Sequence, residues 1–284
     1  MERPAAAFSR LLSSATTVAA PGVHDPLSAR IAGGAGHRAL YLGGNAMALG
    51  LGKGQPFLTL TETAEVTAWV TRSVDVPVIV DAGAGFGERA HLHVAVRELE
   101  AAGAAAIHLD DQPYPKRAAY HRGQGALVAI EEMTARLRTA RAARHEMLVV
   151  ARTDALRVTR SLDEAAARAR AYADAGADAL IVLDLGPDQV ATVRARVAGL
   201  PLIWIGGVTA PIPDLATLAA AGFAMALYPF NGVAAITTAL NDLWRGLAAS
   251  GRIDQPEALL ARARGETLAA VDMQKFWDIE DATT

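Results

Sequence analysis

Ionisable side chains stand at the ends of three apolar runs in this sequence. The run VPVIV ends in Asp81, AAAIHL ends in Asp110 and Asp111, and MLVVA is followed by Arg152 and Asp154. If the runs are barrel strands, their carboxyl ends share one edge, where barrel active sites lie. Asp81 and Asp110 then form an oxygen ligand set that suits Mg2+, and Mn2+ would also fit. The planar Arg152 guanidinium could bind a carboxylate or an enolate oxygen.

Each of these assignments has a structural alternative. Asp81 could cap the next helix, and Arg152 could pair with a barrel carboxylate without touching a ligand. Because adjacent residues of a strand point to opposite sides, at most one of Asp110 and Asp111 faces the pocket directly. We expect the other to anchor the loop.

A further run, ALYLGGN, ends in three residues whose backbone N–H groups could form an anion nest: Gly43, Gly44 and Asn45. The alternative is a tight turn. Other histidines are predicted to be structural. His91 and His93 lie two apart on a helix and so face different directions, and His108 lies inside a strand and not at its end.

Short apolar runs alternate with longer alanine-rich segments, a pattern typical of βα units. Strands are predicted near residues 17–20, 39–42, 78–81, 106–109, 148–152, 179–183, 202–205 and 224–227. Helices are predicted near 26–34, 61–73, 89–102, 129–144, 162–175, 188–198, 214–221 and 233–249. Eight such units favour a (β/α)8 TIM-like barrel. A doubly wound sheet is the alternative, but GAGFGE at 83–88 puts Glu88 where a dinucleotide fingerprint needs glycine.

Three predicted helices end in a similar way, with AAGAAA, DAGADA and AAGFAM before the next strand. A glycine just past a helix can take the left-handed conformation that ends it. We therefore divide the chain into a barrel over residues 1–250 and a helical tail over 251–284. The tail carries Phe276 and Trp277, and we expect it to pack on the barrel or on a neighbouring subunit.

Composition excludes several classes of function. The chain has 284 residues, a formal charge of -3 and no run of lysine or arginine, so nucleic acid is not expected as a partner. The absence of cysteine removes disulfides and thiol nucleophiles, and it fits the cytoplasm. Residues 1–20 contain neither a signal peptide pattern nor a spanning segment, so we expect no membrane association.

The ordered segments of this chain resemble the isocitrate lyase/phosphoenolpyruvate mutase superfamily over nearly its whole length. Those segments are VAAPGVHDPLSARIAGGAGHRALYLGGNAMA, VIVDAGAGFG, HLDDQPYPKR, ARTDA and ALYPF. The resemblance implies a Mg2+-supported enolate or oxyanion, with Asp81 and Asp110 near the metal and Arg152 against the substrate. It implies a substrate carboxylate surrounded by Tyr41, Gly43, Gly44 and Asn45. It also implies a homodimer or homotetramer whose last helix is exchanged between subunits.

This chain departs from the superfamily pattern in its fourth loop and in its metal loop. Members that cleave carbon–carbon bonds usually carry Lys-Arg-Cys-Gly-His, whereas this segment reads Lys116, Arg117, Ala118, Ala119, Tyr120, His121. Gly83 replaces a second metal-loop acid, and Gly54 stands where many members have aspartate. Tyr120 or His121 could donate a proton in place of the thiol, unless both only close a lid.

These observations predict a Mg2+-dependent lyase or decarboxylase of a small 2-oxo or 2-hydroxy (di)carboxylic acid. Two alternatives remain open: a mutase or hydrolase of a carbon–phosphorus bond, and a barrel that binds carboxylates without catalysis. A hydroxymethyltransferase would need a folate site that no motif indicates.

Overall fold

The protein folds as a closed barrel of eight parallel strands that pair in chain order, with the first strand beside the last. A computed structural model describes residues 2–197 and 199–283, apart from the side chain of His121. Strands β1 to β8 are Val18–Val23, Leu40–Leu42, Val78–Asp81, Ala106–Asp110, Leu148–Thr153, Ala179–Val182, Leu202–Ile205 and Met225–Tyr228. Each lies within three residues of its predicted position, and the (β/α)8 prediction is confirmed.

Helices lie between the strands and before and after the barrel. Helices α1 to α13 are Pro4–Leu12, Pro26–Gly34, Gly44–Gly50, Leu60–Thr71, Arg89–Ala101, Ile130–Ala143, Ala155–Thr159, Leu162–Asp174, Val190–Arg194, Leu215–Ala220, Asn231–Ser250, Glu257–Ala270 and Met273–Thr283. Short 3-10 turns span Gln55–Phe57 and Ala118–Arg122. The helix predicted over 188–198 is shorter than expected, and residue 198 lies outside the described residues.

Nearly every strand residue is buried, because the barrel interior covers one face of each strand and the helices cover the other. Ile79, Ile181 and Met225 belong to the interior cluster. Helix α1, which was not predicted, packs Phe8 and Leu11 into that same cluster. The apolar runs of the sequence are therefore continuous and not alternating.

The repeated glycines end their helices as expected. Gly103, Gly176 and Gly222 have φ angles of 92°, 92° and 87°. Only glycine adopts this left-handed conformation at no steric cost, so these positions turn the chain from a helix into the next strand.

The last three helices bury very little within one chain. Val233 is the one buried residue described in α11, and none is described in α12 or α13. Arg30 on α2 donates a hydrogen bond to the backbone oxygen of Ala270 at 3.2 Å, so the tail touches the barrel. The division at residue 250 stays a prediction. Among the described helices, none is both long enough and apolar enough to cross a membrane.

Candidate active site

The carboxyl ends of β3, β4 and β5 bring two carboxylates and a guanidinium together. The strand register pairs Asp81 with His108 and Asp110 with Arg152. Ligand atoms of Asp81, His108 and Asp110 all lie within 4.8 Å of one another. Arg152 Nε lies 3.6 Å from Asp110 Oδ1. The three groups singled out by the sequence therefore lie together at the carboxyl end of the barrel.

Three donors fix the Asp81 carboxylate. The backbone N–H of Gly83 donates to Oδ1 at 2.8 Å, that of Gly44 donates to Oδ2 at 3.0 Å, and Gln55 Nε2 donates to Oδ2 at 3.1 Å. A Cβ on Gly44 would lie 3.0 Å from Asp81 Oδ2, so a larger residue cannot fit without a shift. The Gly44 amide thus serves Asp81, and Gly44 begins helix α3 where the sequence suggested a nest or a tight turn.

Gln55 is a site residue that the sequence reasoning missed. It lies one residue after Gly54, in the segment where the superfamily usually has an aspartate. Its side-chain amide donates a hydrogen bond to the Asp81 carboxylate. The only sequence signal for Gln55 was a polar side chain next to Gly54, the position where an aspartate was expected.

His108 lies inside β4, as the sequence predicted, and its side chain contacts the groups singled out at the strand ends. Its Nδ1 lies 3.1 Å from Asp110 Oδ1, its Nε2 lies 3.0 Å from the Tyr41 hydroxyl, and its Nε2 lies 3.7 Å from Asp81 Oδ1. A neutral imidazole satisfies the two hydrogen bonds when Nδ1 donates to Asp110 and Nε2 accepts from Tyr41. Residues two apart on a strand share a face, so Asp110 itself was the signal for His108.

Opposing effects set the charge of Asp110. Burial raises its pKa, but the positive charges of Arg152 and Lys116 and the hydrogen bond from His108 outweigh burial, and the pKa lies well below its ordinary value. Lys116 Nζ lies 3.3 Å from Asp110 Oδ2. Asp110 is therefore a carboxylate at neutral pH.

Arg152 is buried and held on one side. Its Nε donates to Asp154 Oδ1 at 2.8 Å, and its Nη2 donates to the Tyr120 hydroxyl at 3.1 Å. Burial lowers its pKa, but Asp110 and Asp154 outweigh that effect and the pKa is raised well above its ordinary value. The guanidinium is a permanent cation with a fixed orientation.

Tyr120, one of the two candidate proton donors, is buried. Its hydroxyl donates to Asp154 Oδ2 at 2.6 Å, and Lys116 Nζ lies 4.8 Å from its ring centre. Burial, followed by the charge of Asp154, raises the pKa of Tyr120 above its ordinary value of 10.0. The hydroxyl therefore keeps its proton at neutral pH. The side chain of His121 lies outside the described part of the chain.

Asp111 points away from this space, as the strand alternation requires. It accepts hydrogen bonds from Thr153 Oγ1 at 2.6 Å and from Tyr172 OH at 2.8 Å, and it pairs with Arg168 at 3.3 Å. Its role is to hold the loops that follow β4 and β5.

A cavity of about 690 Å³ opens at this end of the barrel. Among the residues that line it are Tyr41, Gly43, Asn45, Asp81, Tyr120 and Arg152. The carboxylate oxygens of Asp81 and Asp110 fit Mg2+, which binds one or two protein carboxylates and keeps several waters. The chemistry that this arrangement allows is electrostatic stabilisation of a developing oxyanion, with a phenol as proton source.

The chain matches several known proteins. A family model described as phosphoenolpyruvate phosphomutase matches residues 8–248. The 2,3-dimethylmalate lyase of Eubacterium barkeri is 35% identical over 250 residues, which cover 86% of each chain. An oxaloacetate decarboxylase of Bradyrhizobium sp. (strain ORS 278) is 33% identical over 85% of this chain and 84% of its own.

A solved structure with the same fold contains ligands. It is a phosphonopyruvate hydrolase in complex with oxalate and Mg++, with a TM-score of 0.87 and 26% identity over 99% of both chains. These relatives are named for different reactions on small acids, so the reaction of a chain with this fold depends on its own site residues.

Proposed function

The chain belongs to the phosphoenolpyruvate phosphomutase family, and on that premise we propose that it is a Mg2+-dependent lyase or decarboxylase of a small 2-oxo or 2-hydroxy (di)carboxylic acid. The observation that carries this proposal is the convergence of the buried side chains of Asp81, Asp110 and Arg152. Fixed, buried charges of both signs suit a reaction that develops an oxyanion.

Asp81 and Asp110 would hold the metal, with Mn2+ as an alternative ion. When bound, the metal would supply positive charge for the enolate oxygen that develops as a carbon–carbon bond breaks. Gln55 and His108 orient the two carboxylates through the hydrogen bonds described above. Two carboxylates are the number that a protein commonly supplies to Mg2+, whose remaining ligands are waters and substrate oxygens.

Arg152 would bind a substrate carboxylate, and Tyr41, Gly43 and Asn45 would surround it. Gly44 contributes by holding Asp81. When the bond breaks, its electron pair stays on one fragment as an enolate, which must take up a proton at carbon. The other fragment leaves as CO2 from a 2-oxo diacid, or as a 2-oxo acid from a 2-hydroxy diacid whose hydroxyl loses its proton to solvent. We assign the proton that the enolate takes up to the Tyr120 hydroxyl, since it contacts Arg152 and replaces the thiol absent at Ala118, with His121 as the alternative donor.

A second copy of the chain is the proposed partner, besides the substrate. The stripe of Ile236, Leu240 and Trp244 on α11 is exposed, with spacings of four residues that place these side chains on one helix face. We propose a homodimer or homotetramer in which the last helices of each subunit cover the other. The cytoplasmic location expected from the sequence stays a prediction.

The proposed function is tested with the full chain stripped of metal by EDTA and then supplied with Mg2+ or Mn2+. A panel of 2-hydroxy and 2-oxo diacids, including 2,3-dimethylmalate and oxaloacetate, is assayed for release of a 2-oxo acid or CO2. We expect turnover with metal and none without it. Turnover that persists in EDTA, or binding of the whole panel without turnover, would contradict the proposal.

Carbon–phosphorus chemistry is the second candidate, because the family model and one structural neighbour carry names of that chemistry. Phosphonopyruvate in the same assay distinguishes it. Inorganic phosphate or a shifted phosphorus resonance, together with no reaction of the diacids, would favour this candidate over the first.

A further inference from the structure

A second guanidinium stands on the wall of the cavity that Arg152 faces. Arg157, on α7, and Asp184, just after β6, both line this cavity. Arg157 Nε donates to Asp184 Oδ2 at 2.8 Å and Nη2 donates to Oδ1 at 2.6 Å. The two side chains are 40% and 44% exposed, so solvent screens their attraction and the pair contributes little to folding.

Asp184 adopts a conformation that most residues avoid. Its φ angle is 66°, in the left-handed region where glycine is the ordinary choice. This strained conformation occurs at the residue whose two carboxylate oxygens accept hydrogen bonds from Nε and Nη2 of Arg157. An exposed pair that adds little stability and costs backbone strain is better explained by recognition than by folding.

The two guanidinium groups lie close enough to act on one ligand. Arg152 Nη2 lies 3.1 Å and Arg157 Nη1 lies 3.5 Å from the same Tyr120 hydroxyl oxygen. Nε and Nη2 of Arg152 are engaged by protein groups, but its Nη1 has no hydrogen-bond partner among the described residues. Two cations joined by one oxygen atom stand at a spacing that the two carboxylates of a short diacid can bridge.

We propose that Arg157 binds the second carboxylate of a dicarboxylic substrate and thereby selects diacids over monoacids, with Asp184 as the counter-ion that competes for it. This inference rests on the proposed function and makes its substrate class specific. The first carboxylate lies against Arg152, and the second takes donors of Arg157. Asp184 keeps the Arg157 guanidinium oriented before the substrate binds. The second carboxylate of the substrate then partly displaces Asp184.

The test measures equilibrium binding by calorimetry, using the full chain with Mg2+ and the probes malate and lactate. These acids share the 2-hydroxy acid end and differ in the second carboxylate. We expect the wild type to bind malate about 10- to 100-fold more tightly than lactate. Arg157→Gln should remove that preference and leave lactate affinity unchanged. Arg157→Lys should retain part of it, because lysine keeps the charge but loses the fork.

Asp184→Asn should tighten malate binding and leave lactate binding unchanged, because it removes a competing anion. Arg160→Gln is the matched control, since it deletes an exposed positive charge on the same segment that does not line the cavity. Arg160→Gln should keep the full preference for malate. Thermal melting of every variant establishes that it is folded.

Equal loss of malate and lactate affinity in Arg157→Gln, or a wild type without preference for malate, would overturn the inference. Oxalate binding with Mg2+ separates this failure from failure of the proposed function. If oxalate binds and malate is not preferred, the role of Arg157 is wrong and the metal-dependent site stands. If neither oxalate nor malate binds, both proposals fail.

Discussion

The Tyr120 hydroxyl donates to Asp154 Oδ2 over 2.6 Å, and Arg152 contacts both side chains. An acceptor thus fixes the direction of the phenol while a cation stands beside it. A proton donor held within reach of the reacting atom contributes about 10²- to 10⁴-fold to a rate. We therefore expect Tyr120→Phe to lower kcat by about 10²-fold or more, with Mg2+ affinity retained.

The matched control for Tyr120 is Tyr172→Phe. Tyr172 also donates a buried hydroxyl to an aspartate, but its partner Asp111 lies on the far side of the strand. This variant should lose about 1–3 kcal/mol of stability and keep its kcat. Equal kcat losses in both variants would mean that Tyr120 acts only through packing.

The pH dependence of kcat discriminates Tyr120 from His121 as the proton donor. Burial and Asp154 raise the pKa of Tyr120 above 10.0, so its acid form is present throughout the neutral and mildly alkaline range. Activity should not fall through Tyr120 until the pH exceeds about 10. A histidine donor with an ordinary pKa would lose its proton above about pH 6.5. A decline of kcat between these values that is absent in His121→Gln would assign the step to His121.

Asp110 and Asp111 are adjacent in sequence, but their substitution should affect different properties: Mg2+ affinity for Asp110 and folding stability for Asp111. Asp110→Asn removes a carboxylate from the proposed metal site, so Mg2+ affinity measured by calorimetry should fall by about tenfold or more while the protein stays folded. Asp111→Asn weakens the contacts to Thr153, Tyr172 and Arg168. It should cost about 1–3 kcal/mol in urea unfolding and leave Mg2+ affinity nearly unchanged. The reverse assignment of the two effects would remove Asp110 from the metal site.

The sequence predicted the barrel and the three charged groups because both have strong local signals. Strands buried on both faces give continuous apolar runs, and each of Asp81, Asp110 and Arg152 directly ends such a run. Gln55 had no such signal, since a short 3-10 turn brings it to Asp81 and no periodicity marks that turn. His108 was placed outside the site because strand position was considered and shared strand face was not.

Arg157 and Asp184 were missed for a different reason. In sequence they are an arginine on a short helix and an aspartate after a strand, which are common on solvated surfaces. What singles them out is their ion pair, which joins residues 27 positions apart, and the left-handed conformation of Asp184. Both features depend on tertiary structure.

Gly44 offers a test of the metal site that changes none of the proposed ligand residues. A Cβ at this position would lie 3.0 Å from Asp81 Oδ2 and 2.8 Å from Gln55 Nε2, so Gly44→Ala must push the carboxylate or the amide aside. We expect weaker Mg2+ binding with little change in melting temperature. Gly34→Ala is the control, because a Cβ there meets nothing within 4 Å at the end of α2. Gly34→Ala should add about 0.5–1 kcal/mol of stability and leave Mg2+ binding unchanged. A Gly44→Ala variant that binds Mg2+ normally would show that the three hydrogen-bond donors do not confine Asp81.

The exposed stripe on α11 predicts the assembly state. Ile236, Leu240 and Trp244 are 42%, 45% and 53% exposed, and an apolar face of this kind is stabilised when a second copy covers it. Sedimentation should give a mass of two or four times 29.6 kDa for the wild type. Leu240→Glu combined with Trp244→Glu should shift the protein to the monomer mass, because two charges would have to be buried unpaired. Thr238→Glu is the control, because Thr238 lies on the opposite face of the same helix, and it should leave the assembly intact. A wild type that sediments at 29.6 kDa would refute the exchange of the last helices.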